Sequence, residues 1–407
     1  MSYPNLSNLN LFQKEAVESI CGPVLIIAGP GSGKTRVITS RIAHLVKECE
    51  VAPHRIGALT FTNKAANEMK ERLLPLLGEE SKNITAGTFH SFCASILRRD
   101  GPVLGLDRNF IIFDDDDQMK IIKDCMKEHN IDPKRFTPRG ILATISNAKS
   151  LLIDSESYNE TKADYYQEIV SRVFLRYEEI LNRSEAVDFD DLLLKTHTIL
   201  TNHPQVGEYY RERFLHLMID EFQDTNVAQY AIAKQITSKH RNLCVVGDPD
   251  QSIYSWRNAD IRNILSFNTD FSDAQTITLE ENYRSTKTIL EGARVLISKN
   301  TDRVEKDLWT KNLGGNLIPV LEGFNEENET DKVLREIGKL LDSKAFALSD
   351  ICIMYRVNAQ SRSFEMGCQR YGIPYQLIGG VKFYQRREIK DLTAYLRLLL
   401  NHNDDVS

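Results

Sequence analysis

Residues Ala28–Thr35 read AGPGSGKT. The apolar run Val24-Leu25-Ile26-Ile27 precedes them and the amphipathic stretch RVITSRIAHLV follows. That order predicts a buried strand, a glycine-rich loop and a helix, the context of a phosphate-binding loop. Gly29, Gly31 and Gly33 can take backbone angles closed to other residues. Several N–H groups of the loop, which also holds Pro30 and Ser32, can then converge on one concavity. A helix opening near Lys34 adds the positive end of its dipole. Lys34 would set an ammonium against the β- and γ-phosphates of a nucleotide, and the Thr35 hydroxyl would ligate Mg²⁺. Ala28 stands at the first position in place of glycine and is small enough for the same turn.

Moving outward, Gln13 lies in LNLFQKEAVESI, a predicted short helix ahead of the first strand. Its amide suits an adenine edge, and equally a solvated helix face. On the other side, Ile56–Thr62 reads as a second strand running into the helical pattern NKAANEMKERL. Ligand groups collect at the carboxyl ends of strands in open α/β sheets. There stand Phe61, Thr62 and Asn63, an aromatic ring beside a hydroxyl and an amide, a composition suited to single-strand stacking. The segment ITAGTFHSFCASILRR repeats the design with Thr88 and His90. His90 has no second ligand at metal spacing, so a hydrogen bond to phosphate or to a neighbouring motif is its expected role.

From Gly101 to about Asp188 charged helical patterns dominate. The run Asp114–Asp117 is read as a helix cap, because the apolar positions that follow recur at helical spacing. Beyond it HLMIDE (216–221) predicts a strand ending in two carboxylates: Asp220 to hold Mg²⁺, and Glu221 to orient and deprotonate attacking water. NLCVVGD (242–248) predicts another strand. Gln251 follows it where an amide can sense a γ-phosphate, and Tyr254, Trp256 and Arg257 form a stacking platform for bases. After a strand at Thr276–Leu279, Tyr283 can stack on adenine and Arg284 can act as an arginine finger. A second α/β pattern then begins. It comprises a helix in STKTILEGARVLI, strands at Leu317–Phe324, Asp350–Val357 and Pro374–Ile378, a helix over 358–371, and a closing helix in REIKDLTAYLRLLL.

Collected in this order, the segments closely resemble the UvrD/Rep/PcrA family of superfamily 1 DNA helicases over nearly the whole chain. Gln13 resembles the Q motif, AGPGSGKT motif I, TFTNKAANEMKER motif Ia and GTFHSF motif Ib. DFDDLL is similar to the return from the 1B insertion. IDEFQDTN looks like motif II, VVGDPDQSIYSWRNAD like motif III, NYRS like motif IV and GGVKFYQRREIKD like motif IVa. The resemblance implies that Arg36 and Tyr283 flank adenine. It also implies that Phe61, Phe189, Tyr254, Trp256 and Arg257 touch single-stranded DNA. Motif III departs from the family at Pro249, Ser255 and Asn258, the last standing where glycine is common. Segments matching 2B and motifs V and VI, which would supply a second γ-phosphate arginine, are not in this sequence.

The expected fold class is α/β: a RecA-like P-loop NTPase domain (1A, residues 1–103 and 190–282) with a helical insertion (1B, 104–189), plus the first part of a second RecA-like domain (2A, 283–407). The implied activity is an ATP- and Mg²⁺-dependent helicase or translocase moving 3′ to 5′ on single-stranded DNA and at single-strand/duplex junctions, in DNA repair or replication. The chain reads as an amino-terminal portion of low activity alone. Two alternatives stand beside this, a helicase–nuclease subunit of RecB/AddA type and a shortened, non-catalytic DNA-binding relative. The bulk properties agree with a cytoplasmic protein. The chain has 407 residues, 42% of them hydrophobic and 27% charged. No apolar run approaches the ~20 residues of a membrane span. Seven cysteines without a Cys-x-x-Cys pair argue for reduced thiols and against structural zinc. A net charge of −6 gives no global attraction to nucleic acid, so a DNA surface must be a local patch.

Overall fold

A computed structural model describes residues 8–300, 303–378 and 391–396. They fall into two compact units, the second running from Gly315 to Tyr395.

The first unit is built on a six-stranded sheet. Its strands are β1 (Val24–Ala28), β2 (Ile56–Thr60), β3 (Thr85–Thr88), β6 (His216–Ile219), β7 (Leu243–Gly247) and β8 (Gln275–Leu279); β4 (Ile111–Ile112) and β5 (Ala186–Val187) form a separate pair. The order is β3-β2-β6-β7-β1-β8 and every pairing is parallel. β1, β2, β6 and β7 are buried along their whole length, as continuous apolar runs such as VLIIA require when both faces are covered. One apolar core, with Leu25, Ile27, Phe92, Phe214 and Phe222, lies on one face of the sheet. A second, with Ile26, Ile38, Leu45, Met69 and Val246, lies on the other. All strands run the same way, so the turns after β1, β2, β3, β6, β7 and β8 open on one edge. Every motif singled out within residues 28–284, apart from Phe189, follows one of those strand ends.

Between β3 and β6 the chain makes a largely helical excursion with a core of its own, including Phe113, Ile122, Ile145, Phe174 and Tyr177. Asp114 caps the helix Asp115–Glu128, accepting from the amides of Asp116 and Asp117, as the aspartate run predicts. The β4–β5 pair is the one short strand element described within the mostly helical insertion that the sequence predicts. Two residues per strand are too few to show a period in sequence.

In the second unit the helices Glu326–Asp342 and Ser361–Tyr371 pack through Leu334, Ile337 and Cys368. The expected strands at Leu317–Phe324, Asp350–Val357 and Pro374–Ile378 are a correction: these residues carry no ladder, and Val320 is 93% exposed. An extended run becomes a strand only when a neighbour takes its N–H and C=O groups. The described residues of this unit bring none alongside. The helix over 358–371 begins with a 3₁₀ turn, Asn358–Gln360. Of the closing helix only Asp391–Leu396 is described, and it is helical; the motif IVa segment lies outside the described residues except for Asp391.

Candidate nucleotide site and nucleic-acid face

The loop after β1 turns through Gly31 (φ +67°) and Gly33 (φ +90°), left-handed conformations that favour glycine. The Ser32 hydroxyl donates to the Gly29 carbonyl at 2.7 Å and closes the turn. Helix Lys34–Lys47 starts directly after Gly33, so its free amides face the same concavity. Lys34 Nζ lies 3.0 Å from Glu221 Oε2 and 3.4 Å from Gln251 Oε1. The Thr35 hydroxyl is 3.4 Å from Asp220 Oδ2. Tips of β1, β6 and β7 thus bring the predicted cation, both carboxylates, the hydroxyl and the amide together. Glu221 holds φ +52°, a strained conformation for a non-glycine residue, at the position where the fold must turn a carboxylate toward Lys34.

Burial, and then the charge of adjacent Glu221, push the Asp220 carboxyl up to about 6 against the pull of Lys34. A buried carboxylate that is costly to ionise, with a hydroxyl oxygen opposite, is a hard-oxygen pair that suits Mg²⁺. Thr35 and Asp220 therefore fit the metal expected between them.

The tip of β8 closes the other side. Asn282 donates to the Pro30 carbonyl at 2.6 Å, and its Oδ1 accepts from the amides of Arg284 and Ser285. The Tyr283 amide donates to the Gly31 carbonyl at 2.9 Å. The base of the Arg284 side chain therefore sits against Gly31, where a Cβ would lie 2.8 Å from Arg284 Cβ. Gln13 is fully buried. Its Nε2 donates to the Ser32 carbonyl at 2.8 Å and its Oε1 accepts from the Asn10 amide. The amide thus braces the loop in addition to any contact with a base. Tyr283, half-exposed, donates to Glu281 and accepts from Asn10; burial, and then this carboxylate, push its hydroxyl up to about 12. Arg36 lies close enough to act electrostatically on Tyr283.

On the same edge, beyond β2 and β7, Phe61 stacks on Tyr254 with ring centroids 4.7 Å apart. Trp256, 70% exposed, lies 6.1 Å from Tyr254, and the Arg257 guanidinium sits 4.5 Å above its ring. Rings from two strand ends form one continuous face. His90 meets Phe189 edge-on at 5.8 Å as a second aromatic group. Burial holds the His90 imidazole down to about 4, so at physiological pH it is neutral and offers a hydrogen bond rather than a charge. Thr62 and Asn63 are exposed at a helix start, with the Thr62 hydroxyl capping Ala65. Thr88 is buried in a capping box with Ser91, which makes it a structural cap. Asn258 has φ +61°, and asparagine tolerates the left-handed turn where the family commonly has glycine. Pro249 opens the 3₁₀ turn Pro249–Gln251, where its missing N–H costs nothing.

Sequence reasoning missed Asn282, Asn10, Gln223, Asp248 and Lys306. The first two left a signal: Asn10 and Gln13 have capping-box spacing, and Asn282 sits inside NYRS. Lys306 left none.

Two family descriptions match the chain: the UvrD/REP helicase N-terminal domain over residues 9–272 and the UvrD-like helicase C-terminal domain over 277–407. Among its relatives, an ATP-dependent DNA helicase PcrA of Staphylococcus aureus is 49% identical over 403 residues. These are 99% of this chain and 55% of that protein. A Staphylococcus epidermidis PcrA is 50% identical over 402 residues, with the same coverage. The chain thus spans about half the length of the relatives it matches.

Proposed function

Because this chain belongs to the UvrD/Rep/PcrA family of DNA helicases, we propose that its first unit binds and hydrolyses ATP–Mg²⁺ and couples the cycle to movement on single-stranded DNA. The observation that supports this reading is the convergence of Lys34, Thr35, Asp220, Glu221 and Gln251 within 3.0–3.4 Å contacts at one sheet edge, with Arg284 seated on the loop. The loop amides of residues 29–35 cradle phosphates. Lys34 is drawn from Glu221 to the β- and γ-oxygens, which frees Glu221 to orient and deprotonate water. Thr35 and Asp220 hold Mg²⁺, which supplies charge neutralisation when bound. Arg284 stabilises charge on the γ-phosphoryl oxygens, and Gln13, Arg36 and Tyr283 surround the adenine. Single-stranded DNA lies on Phe61, Tyr254, Trp256 and Arg257, with Phe189, His90, Thr62 and Asn63 along its path. Gln251 and two of the DNA-facing rings, Tyr254 and Trp256, follow β7 in one short segment, so nucleotide state and base stacking are mechanically close.

In family terms residues 1–103 and 190–282 are 1A, 104–189 are 1B, and 283–407 begin 2A. The direction, 3′ to 5′, and a role in repair or replication come with the family. An ATPase assay with added single-stranded DNA tests the reading. A DNA-stimulated rate is expected, which Glu221→Gln lowers about a hundredfold or more while ATP–Mg²⁺ affinity persists. An unchanged rate in Glu221→Gln would remove the proposed base.

A further inference from the structure

Lys306 has no assigned role, yet its side chain is more deeply buried than that of Lys34. Its side chain is 1% exposed and its ammonium is paired with Asp248 and, at 2.7 Å, with Asp250. Arg303 Nη2 reaches the same Asp250 carboxylate at 3.3 Å. The Asp248 side chain is wholly buried, and its two oxygens are divided. Oδ1 takes Lys306 and the Asp250 amide, whereas Oδ2 accepts from Gln251 Nε2 at 2.6 Å.

These contacts close into a ring. Gln251 Oε1 faces Lys34 at 3.4 Å, and Lys34 pairs with Glu221 at 3.0 Å. Glu221 accepts from Gln223 Nε2 at 3.0 Å, and Gln223 Oε1 accepts the Asp248 amide at 2.9 Å. A glutamine at the start of a loop has several rotamers open to it. Here one N–H of its amide is fixed by a carboxylate, Oε1 accepts from Lys34, and the second N–H can donate to a phosphate oxygen. That carboxylate is wholly buried with a cation against it, and an unpaired buried charge is strongly disfavoured. The cation comes from residue 306, beyond every motif of the site.

We propose that Lys306 is a positioning residue for γ-phosphate recognition: it sustains the Asp248 carboxylate that aims the Gln251 amide at the phosphate loop. This rests on the reading of Gln251 as the group that meets the γ-phosphate. Its signature is selective. Losing Lys306 weakens recognition of the third phosphate and leaves the rest of the nucleotide site alone.

The test measures binding of Mg²⁺–ADP and of a Mg²⁺–non-hydrolysable ATP analogue to the full 407-residue chain by titration calorimetry. The readout is the ratio of the two affinities. Lys306→Met is expected to lower the triphosphate preference about tenfold, the worth of one good hydrogen bond, with ADP affinity changed less than about twofold. Gln251→Ala should lower it similarly, and the double variant no further than either. Lys306→Arg, which keeps the charge, should retain most of the preference. An equal loss of ADP and analogue in Lys306→Met overturns the proposal, as do additive effects in the double variant. If Gln251→Ala keeps the full preference, the reading of Gln251 falls, and the proposal with it. Additivity with an affected Gln251→Ala sinks the role of Lys306 alone. Should circular dichroism show Lys306→Met unfolded, Asp248→Asn, isosteric with the native side chain, takes its place with the same expected and overturning outcomes.

Discussion

Lys34 and Lys149 both meet carboxylates, and they are held in opposite ways. At the sheet edge Lys34 touches Glu221 at 3.0 Å and Gln251 at 3.4 Å and keeps 12% of its side chain exposed. In the insertion Lys149 is wholly buried, 2.7–2.8 Å from Glu178, Asp188 and Asp191, with Tyr177 donating to Asp188 at 2.9 Å. Burial opposes the Lys149 charge, but Asp188, Asp191 and Glu178 outweigh it and hold its pKa well above the ordinary lysine value. One cluster is saturated and fixes where the insertion returns to the sheet. The other makes fewer and longer contacts, and under the proposed function it exchanges them for phosphate. Residue types alone do not separate a structural lysine from a working one; the number and length of its contacts do.

The largest effect that can break this comparison is on stability. Lys149→Met should cost about 3–5 kcal/mol, because three buried carboxylates lose their cation, whereas Lys34→Met should cost less than about 1 kcal/mol. Urea unfolding of both variants decides it, and similar costs would erase the distinction. Next in size, Trp256→Ala should weaken single-stranded DNA binding by about 1–3 kcal/mol by fluorescence anisotropy while nucleotide affinity holds. Equal loss of both would make Trp256 a packing residue.

The smallest effect sharpens the description of the saturated cluster. Burial, then the charge of Asp188, push Asp190 up to about 7 from an ordinary 3.8. The folded chain therefore keeps this proton between those values while the unfolded chain gives it up. Stability from this group is full at low pH and is lost as pH rises from about 4 to 7. Asp190→Asn does not titrate. It should match wild type near pH 4.5 and exceed it at pH 8 by on the order of 1 kcal/mol, read from denaturant midpoints. A constant difference across pH would remove the claim.

Much of this was legible in sequence because local signals coincided. A buried strand, glycines at left-handed positions and GKT fixed the phosphate loop. Apolar runs ending in Asp220–Glu221 or Gly247–Asp248 fixed the edge where ligand groups gather. What stayed hidden depends on distant pairing. Lys306 meets Asp248 across 58 positions, and no periodicity reports that. Residues 317–324 have the apolar composition of a strand but, among the described residues, no neighbouring strand, and composition cannot supply one. Thr88 looked like a DNA contact because it follows a strand, yet Ser91 three residues on marks it as a cap.

The position of β1 between β7 and β8 has a consequence for biosynthesis. Val24 pairs with Cys244 on one side and Gln275 on the other. Made from its amino terminus at about 5–20 residues per second, the chain leaves both flanks of that strand unpaired for roughly 10–40 s. The nascent phosphate loop thus emerges early but is finished late. Its hydrophobic ribbon must be shielded by the ribosome surface or a chaperone until the last two strands arrive to enclose it.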